Sequence, residues 1–289
     1  MSNPLLKETL LRFVEEDAPW GDLTTELIIN PEAEAKGKII AKASGVFAGT
    51  EEVETLASLF NLKAKMKIRD GEKFEANTLL GELIGKAKHI LLIERTLLNL
   101  LSHMCSIATA TKAATDLLKS KGLQTRIAAT RKTHPGLRLF EKKAVKIGGG
   151  DTHRMDLSSM VLIKDNHINL CGSVSEAVKR AKTASSITTK IEVEVRSLAE
   201  ALEAAEAGAD IIMLDNVPAE GVKEVVEELK RRGLRNRVLL EASGGINQTN
   251  LLDYAQAGVD IISMGSLTLS PKPIDISLEV EPIEGEDDV

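Results

Sequence analysis

Six short apolar runs in the second half of the chain end in residues that could do ionic chemistry. "TRIAATR" (125–131) leads into Arg131 and Lys132, "MVLIKDNH" (160–167) holds Lys164 and Asp165, and "KIEVEV" (190–195) sets Glu192 and Glu194 two apart. "DIIMLDN" (210–216) closes on Asp215 and Asn216, "RVLLEASGG" (237–245) carries Glu241 and Ser243, and "DIISMGS" (260–266) ends in Gly265 and Ser266. Between Arg131 and Arg154 stand seven Lys/Arg and two histidines against Glu141 and Asp151 alone, in a chain of formal net charge −6. Arginine forks grip carboxylates bidentately and lysine adds a point charge. Cations gathered at one place repel one another until an anion of more than one charge arrives. The ligand predicted is small and polyanionic. Lys142, Lys143 and Lys146 are assigned to the solvated face of a helix after Pro135 and given no role.

The acidic residues answer this wall. In a strand, Glu192 and Glu194 share one face while Ile191, Val193 and Val195 share the other. If the aliphatic face packs on helices, both carboxylates point inward, where they need a cation. A salt bridge to Lys132 or Lys164 would serve. A lip of Glu194 and Asp215 would also suit Mg²⁺, a hard cation that takes oxygen ligands and leaves positions open for water and phosphate. "EASGGI" (241–246) and "SMGSL" (263–267) bring glycines to the last two such loops, where backbone N–H groups can converge on a phosphate.

These residues must be positioned by strands and helices in alternation. Between the later runs lie "SLAEALEAAEAG" and "AEGVKEVVEELKRRG", helical patterns that stop at glycine. Alternation at this spacing gives parallel βαβ units, and six visible strands favour a barrel, complete or slightly short of eight, over an open doubly wound sheet. The C-terminal strand ends would then share one mouth. Upstream, Asn3 and Pro4 start a helix, and residues 36–88 read as a small antiparallel sheet with helices. "IERTLLNLLSHMCSIATATKAATDLLKS" (93–120) is a long amphipathic helix or helix pair. The division expected is an N-terminal domain at 1–105, joined by the terminal segment 271–289, and a barrel at 106–270. The last residues, "EVEPIEGEDDV", are acidic and expected to fray.

Composition narrows the function. With 289 residues, 43% hydrophobic and 28% charged, the chain can bury a sizeable core. No transmembrane helix and no secretory signal are expected. Cys105 and Cys171 stand far apart, so neither a disulfide framework nor a Cys-based zinc site is expected, and a reduced cytoplasmic setting follows. An acidic balance with 2% aromatics argues against nucleic-acid binding.

Taken in order, "EEDAPWGDLTT", "ERTLLNLLSHMCSIATAT", "TRKTHPGLR", "GGGDTHR", "VLIKDNHI", "IEVEV", "IIMLDN", "EASGGI" and "GVDIISMGSLT" resemble the carboxylating nicotinate-nucleotide pyrophosphorylases, or quinolinate phosphoribosyltransferases, over residues 14–280. That resemblance implies an α/β fold: an incomplete, seven-strand α/β barrel with an N-terminal α/β sandwich. It implies a reaction of quinolinate with phosphoribosyl pyrophosphate and Mg²⁺ that yields nicotinate mononucleotide, pyrophosphate and CO₂. It implies that Thr130, Arg131, Lys132, His153 and Arg154 line the quinolinate pocket. Lys164, Glu194 and Asp215 would address ribose, metal and pyrophosphate, with Lys132, Lys164, Glu194 and Asp215 as the catalytic set. Ser243, Gly244, Gly245, Gly265 and Ser266 would cradle the 5′-phosphate. Arg95 would reach a neighbouring subunit's pocket, in a homodimer or a hexamer. Two positions depart from the family pattern: Leu269 stands where a histidine is usual, and His134 where a threonine is usual.

Three other readings stay open on residues alone. A nicotinate-specific phosphoribosyltransferase, or the related molybdenum-locus protein, would leave this pocket over-supplied with positive charge. A barrel aldolase using Lys164 as a Schiff base needs an uncharged amine, which neighbouring carboxylates oppose. A barrel that has lost catalysis should have shed charged site residues, and only position 269 departs.

Overall fold

The structure is a computed structural model that describes residues 4–283. Residues up to Thr109, together with those from Pro271 onward, form one compact unit, and Ala110–Ser270 form the other. The first begins with α1 (Pro4–Asp17), α2 (Leu23–Ile28), β1 (Glu34–Ala41), β2 (Gly45–Val46) and α3 (Thr50–Leu59). It continues through β3 (Lys63–Met66), β4 (Lys73–Phe74) and β5 (Leu79–Lys86) into the long helix α4 (Ala87–Ser120). The second unit holds β6 (Arg126–Ala128), α5 (Arg138–Ile147), β7 (Val161–Ile163), α6 (Asp165–Cys171), α7 (Val174–Ala184), β8 (Ile191–Val195) and α8 (Leu198–Ala207). After these come β9 (Ile211–Asp215), α9 (Ala219–Arg231), β10 (Leu239–Ser243), α10 (Leu251–Gln256), β11 (Ile261–Ser263) and α11 (Ser266–Leu269). The chain then returns to the first unit as β12 (Ile276–Pro282).

The first unit carries the antiparallel sheet expected for residues 36–88, in the order β12–β1–β5–β3. β1 alternates buried and part-exposed residues, as a strand with one covered face must. The acidic end of the chain does not fray as expected: Glu279–Pro282 belong to β12, paired antiparallel with β1. Lysines on the partner strand and just after it explain this, since Lys38 and Lys42 meet Glu281 and Glu279 at 2.7 and 3.1 Å. The rest of that tail, 284–289, lies outside the described residues. α4 is a single helix, six residues longer at its start than the apolar pattern implied. It is apolar and long enough to cross a membrane, but that stretch is mostly buried inside the protein, as in a core helix.

In the second unit all six apolar runs are strands, parallel and in the order β6–β11–β10–β9–β8–β7. The seventh position is reduced to one residue: Asp151 makes a single parallel bridge to Ala128 on the free edge of β6. Every residue of β8 is buried. Its Ile191, Val193 and Val195 join a core with Val178, Leu202 and Val225 of the surrounding helices, which turns Glu192 and Glu194 the other way. The helices are set by local chemistry. Ser173 and Ser197 cap α7 and α8 by accepting the N–H groups of Glu176 and Glu200 at 3.1 and 3.2 Å.

The triple glycine lets α5 return close under β6. Asp151 N–H donates to the Ile127 carbonyl at 2.7 Å, and Ala129 N–H donates to the Asp151 carbonyl at 2.9 Å. A Cβ on Gly150 would fall 2.8 Å from both Thr111 Cγ2 and Val145 Cγ1, and 3.2 Å from the Ile127 carbonyl oxygen. Gly150→Ala is therefore expected to destabilise the protein by about 1–3 kcal/mol, the usual cost of overpacking, read as a lower denaturation midpoint with an unchanged slope.

Candidate active site

At the C-terminal ends of the parallel strands lies a cavity of about 290 Å³. Ten of the residues singled out in the sequence line it: Thr130, Arg131, Lys132, His153, Arg154, Lys164, Glu194, Asp215, Glu241 and Ser243. They arrive on separate loops because parallel strands all end at the same rim. Gly244, Gly245, Gly265 and Ser266 are not among its lining residues, although they follow the neighbouring strands β10 and β11 directly. Arg95 stands exposed on α4, in the other unit.

The cation wall is built from two loops. After β6, Thr130 Oγ1 accepts the Lys132 N–H at 3.0 Å, and Thr268 Oγ1 donates to the Lys132 carbonyl at 2.6 Å. The Lys132 side chain passes so close over Gly265 that a Cβ there would sit 3.1 Å from its Cδ. Arg131 Nε is buried with no hydrogen-bond partner among the described residues, a donor left unsatisfied within the protein. Nearby, Arg154 is 8% exposed. Burial first, then the nearby Arg131 charge, pulls its guanidinium below the usual range. A desolvated guanidinium crowded by a second one whose Nε lacks a partner calls for an anion.

The second loop is held from beneath by α5, and here the sequence reading needs correction. Lys142 is not on a solvated face. It is fully buried, and its Nζ donates to the carbonyls of Thr152 and Arg154, at 2.6 Å for the first. Adjacent Glu141 is equally buried and accepts from the His134 backbone N–H at 3.2 Å and contacts its Nδ1 at 2.7 Å. The helix register drives both charges inward because loops on both sides supply polar partners, which no periodicity rule anticipates. His134, the departure from the family threonine, is thus tied to a buried carboxylate.

His153, with a left-handed φ of 51°, turns its ring into the barrel. Its Nε2 lies 3.2 Å from Glu192 Oε2 and 3.2 Å from Glu241 Oε2, both glutamates being fully buried. Burial opposes a charged ring, but the contacts with Glu192 and Glu241 outweigh it and hold the imidazolium up to about 10. Burial pushes Glu192 above the usual carboxylate range. In the sequence Glu241 is only one of the polar residues that end the six strands. Its link to His153 needs the fold.

The acidic lip lies on β8 and β9. Glu194 takes the salt bridge that the sequence offered to Lys132 or Lys164, and the partner is Lys164. Asp215 is oriented by Asn216, whose Nδ2 donates to its Oδ2 at 2.9 Å. Gly244, at φ 96°, makes room for that amide: a Cβ there would sit 2.2 Å from Asn216 Oδ1. The Arg196 guanidinium lies 3.9 Å from Glu194 and 3.7 Å from Asp215. The two carboxylates, on neighbouring strands and already facing one cation, suit a divalent metal that prefers oxygen. Ser263, also in the lining, was missed; its buried hydroxyl has no partner among the described residues. Counting by twos back from Gly265 would have found it on the inward face. Leu269 is half-exposed at the end of α11.

A barrel-like sheet of parallel strands whose C-terminal rim opposes crowded arginines to paired carboxylates defines an α/β-barrel enzyme acting on small polyanions. The comparisons sharpen that class. Residues 22–105 match the N-terminal domain and residues 107–279 the C-terminal domain of quinolinate phosphoribosyl transferase, and the chain belongs to this family. It is 44% identical over 275 residues to the probable carboxylating nicotinate-nucleotide pyrophosphorylase of Methanothermobacter thermautotrophicus, covering 95% of this chain and 99% of that one. It is 40% identical to the Dictyostelium discoideum carboxylating nicotinate-nucleotide pyrophosphorylase, covering 96% of both. The NadC crystal structure from Streptococcus pyogenes superposes with a TM-score of 0.89 at 36% identity, covering 97% and 98% of the two chains.

The chain has five histidines, so their ring protons can be followed individually by NMR. His153, assigned by its loss in His153→Gln, is expected to stay charged through neutral pH and titrate near 10. Because its folded value lies above the unfolded one, the stability it contributes is complete below about pH 6.5 and is lost as pH rises through the folded value. Glu241→Gln should bring the titration down. An unchanged value in that variant would refute the assignment of the charge to this contact.

Proposed function

We propose that this chain joins quinolinate to phosphoribosyl pyrophosphate, giving nicotinate mononucleotide, pyrophosphate and CO₂, the reaction of de novo NAD biosynthesis. Its family membership supports the reaction, which makes it a pentosyltransferase. The observation that carries it to this site is the unpaired, buried Arg131 Nε beside desolvated Arg154. Two carboxylates on one pyridine ring would satisfy both.

In this reading Arg131, Arg154, Lys132 and charged His153 hold the quinolinate carboxylates and Thr130 supports them. The ring nitrogen is thereby aimed at the ribose. The nitrogen's lone pair forms the bond to the anomeric carbon as the bond to pyrophosphate breaks, through an oxocarbenium-like state. Glu194 and Asp215, fixed in advance by Lys164 and Asn216, stabilise the positive ring without reorganising. Glu194 and Asp215 would hold Mg²⁺, which would supply positive charge to offset that of the departing pyrophosphate. Ser243, Gly244, Gly245, Gly265 and Ser266 take the 5′-phosphate. Once ribosylated, the nitrogen is positive and serves as the electron sink. The C2–carboxylate bond breaks, its electron pair stays on C2, and a proton replaces the CO₂. No protein nucleophile is needed. Lys164, already ion-paired with Glu194, is a poor Schiff-base candidate.

We further place Arg95 in the pocket of a neighbouring copy. Supporting an oligomer, Trp20, Leu23, Leu27 and Ile28 are 94%, 70%, 74% and 73% exposed, an apolar stretch that monomers seldom leave to water. Two free cysteines support a reduced, cytoplasmic setting.

Turnover of quinolinate against nicotinate, each with phosphoribosyl pyrophosphate and Mg²⁺, tests the reaction; preference for nicotinate would overturn it. Arg131→Ala should lower kcat/KM for quinolinate by roughly 10²–10³-fold. Mixing inactive Arg95→Ala and Arg131→Ala chains should restore activity, since mixed oligomers contain intact pockets. No recovery after confirmed subunit exchange would remove Arg95 from the shared site.

A further inference from the structure

Helix α5 buries a lysine that the chemistry proposed above does not use. Lys142 is bonded through Nζ to the loop that follows the glycine run, within range of both guanidinium groups of the cation wall. The groups facing it are Arg138 on its own helix, Arg131 on the loop after β6, and Arg154 and Asp151 on the loop beneath which it sits. Three of these four repel it. A fully buried ammonium beside three arginines persists only if something holds it, and what holds it are the carbonyls of Thr152 and Arg154. Those two carbonyls flank His153, whose left-handed backbone is a conformation a histidine seldom takes unaided.

We propose that Lys142 is a positioning residue of the dicarboxylate pocket: its buried ammonium clamps the backbone on both sides of His153 and so fixes where His153 and Arg154 meet the substrate. The identity of that substrate rests on the function proposed above; the clamp itself does not.

The same surroundings make the clamp sensitive to pH. Burial first, then Arg138, Arg131 and Arg154, brings Lys142 down to about 8. Because this folded value lies below the ordinary lysine value, the charged form predominates below about pH 8 and is lost as pH rises through it. Loss of a positive charge behind Arg131 and Arg154 weakens the hold on a dianion. A bound dianion in turn pulls the proton back on, so quinolinate binding near pH 8 should take up a proton. His153 titrates well above this window.

Lys142→Met and Lys142→Arg test the clamp in two ways. Hydrogen exchange of the ligand-free protein needs no substrate. Segment 151–155 should exchange faster in Lys142→Met while the strands of the barrel keep their protection, and Lys142→Arg should restore part of the difference. In kinetics, Lys142→Met should raise the quinolinate KM by about tenfold or more. It should also abolish the rise of that KM expected above pH 8 in wild type, and leave the phosphoribosyl pyrophosphate KM nearly unchanged. Unaltered exchange in 151–155 would overturn the proposal. So would faster exchange with an unchanged quinolinate KM and pH profile, which would make Lys142 a core brace only. A wild-type enzyme inactive on quinolinate would sink the substrate assignment alone, with the exchange result still deciding the clamp.

Discussion

Carboxylates inside a parallel barrel are tolerable only where cations meet them, and this constraint organises the second unit. Glu192, Glu194 and Glu241 come from strands whose other faces are committed to the aliphatic core. Glu192 and Glu194 cannot turn outward without exposing isoleucine and valine, nor Glu241 without exposing Leu240 and Ala242. The protein therefore brings cations to the glutamates: His153 to Glu192 and Glu241, and Lys164 to Glu194. Each of these cations sits at the rim of one cavity. What stabilises the buried acids also arranges the site.

The result is a cavity with a polarity. Its β6 side is crowded with positive charge held too close for comfort, with Arg131 lacking a partner for Nε and Arg154 desolvated beside it. Its β8–β9 side is negative, with Glu194 and Asp215 fixed by Lys164 and Asn216. A dianionic ring approaching the first side would lie next to a sugar whose developing positive charge faces the second. Electrostatic preorganisation of this kind works because the dipoles and charges are held by packing before substrate arrives. Backbone economy serves the same end. Gly150 lets α5 close beneath β6, and Gly244 lets the Asn216 amide reach Asp215.

Surface charge in a sequence window is a poor guide to surface charge in space. The seven cations between Arg131 and Arg154 divide into unlike groups once folded. Arg131, Lys132 and Arg154 line the cavity, whereas Lys142 is buried behind it. Likewise the acidic end of the chain looks like a solvated tail, yet Glu281 and Glu279 form ion pairs with Lys38 of β1 and Lys42 just after it, more than two hundred residues away.

By itself the sequence determined the six parallel strands, the antiparallel sheet before them, the inward face of β8 and the residues that end each strand. These follow from local rules: a strand alternates every two residues, a helix repeats every 3.6, and parallel strands in a barrel end at one rim. The motifs determined the family for the same reason, being contiguous. Tertiary structure alone decided which lysine meets Glu194, that Glu192 and Glu241 share His153, that Ser263 enters the cavity, and that Glu141 and Lys142 are buried side by side. Each of those depends on groups distant in sequence supplying a partner, and a buried charge takes its place from its partner rather than from its neighbours along the chain.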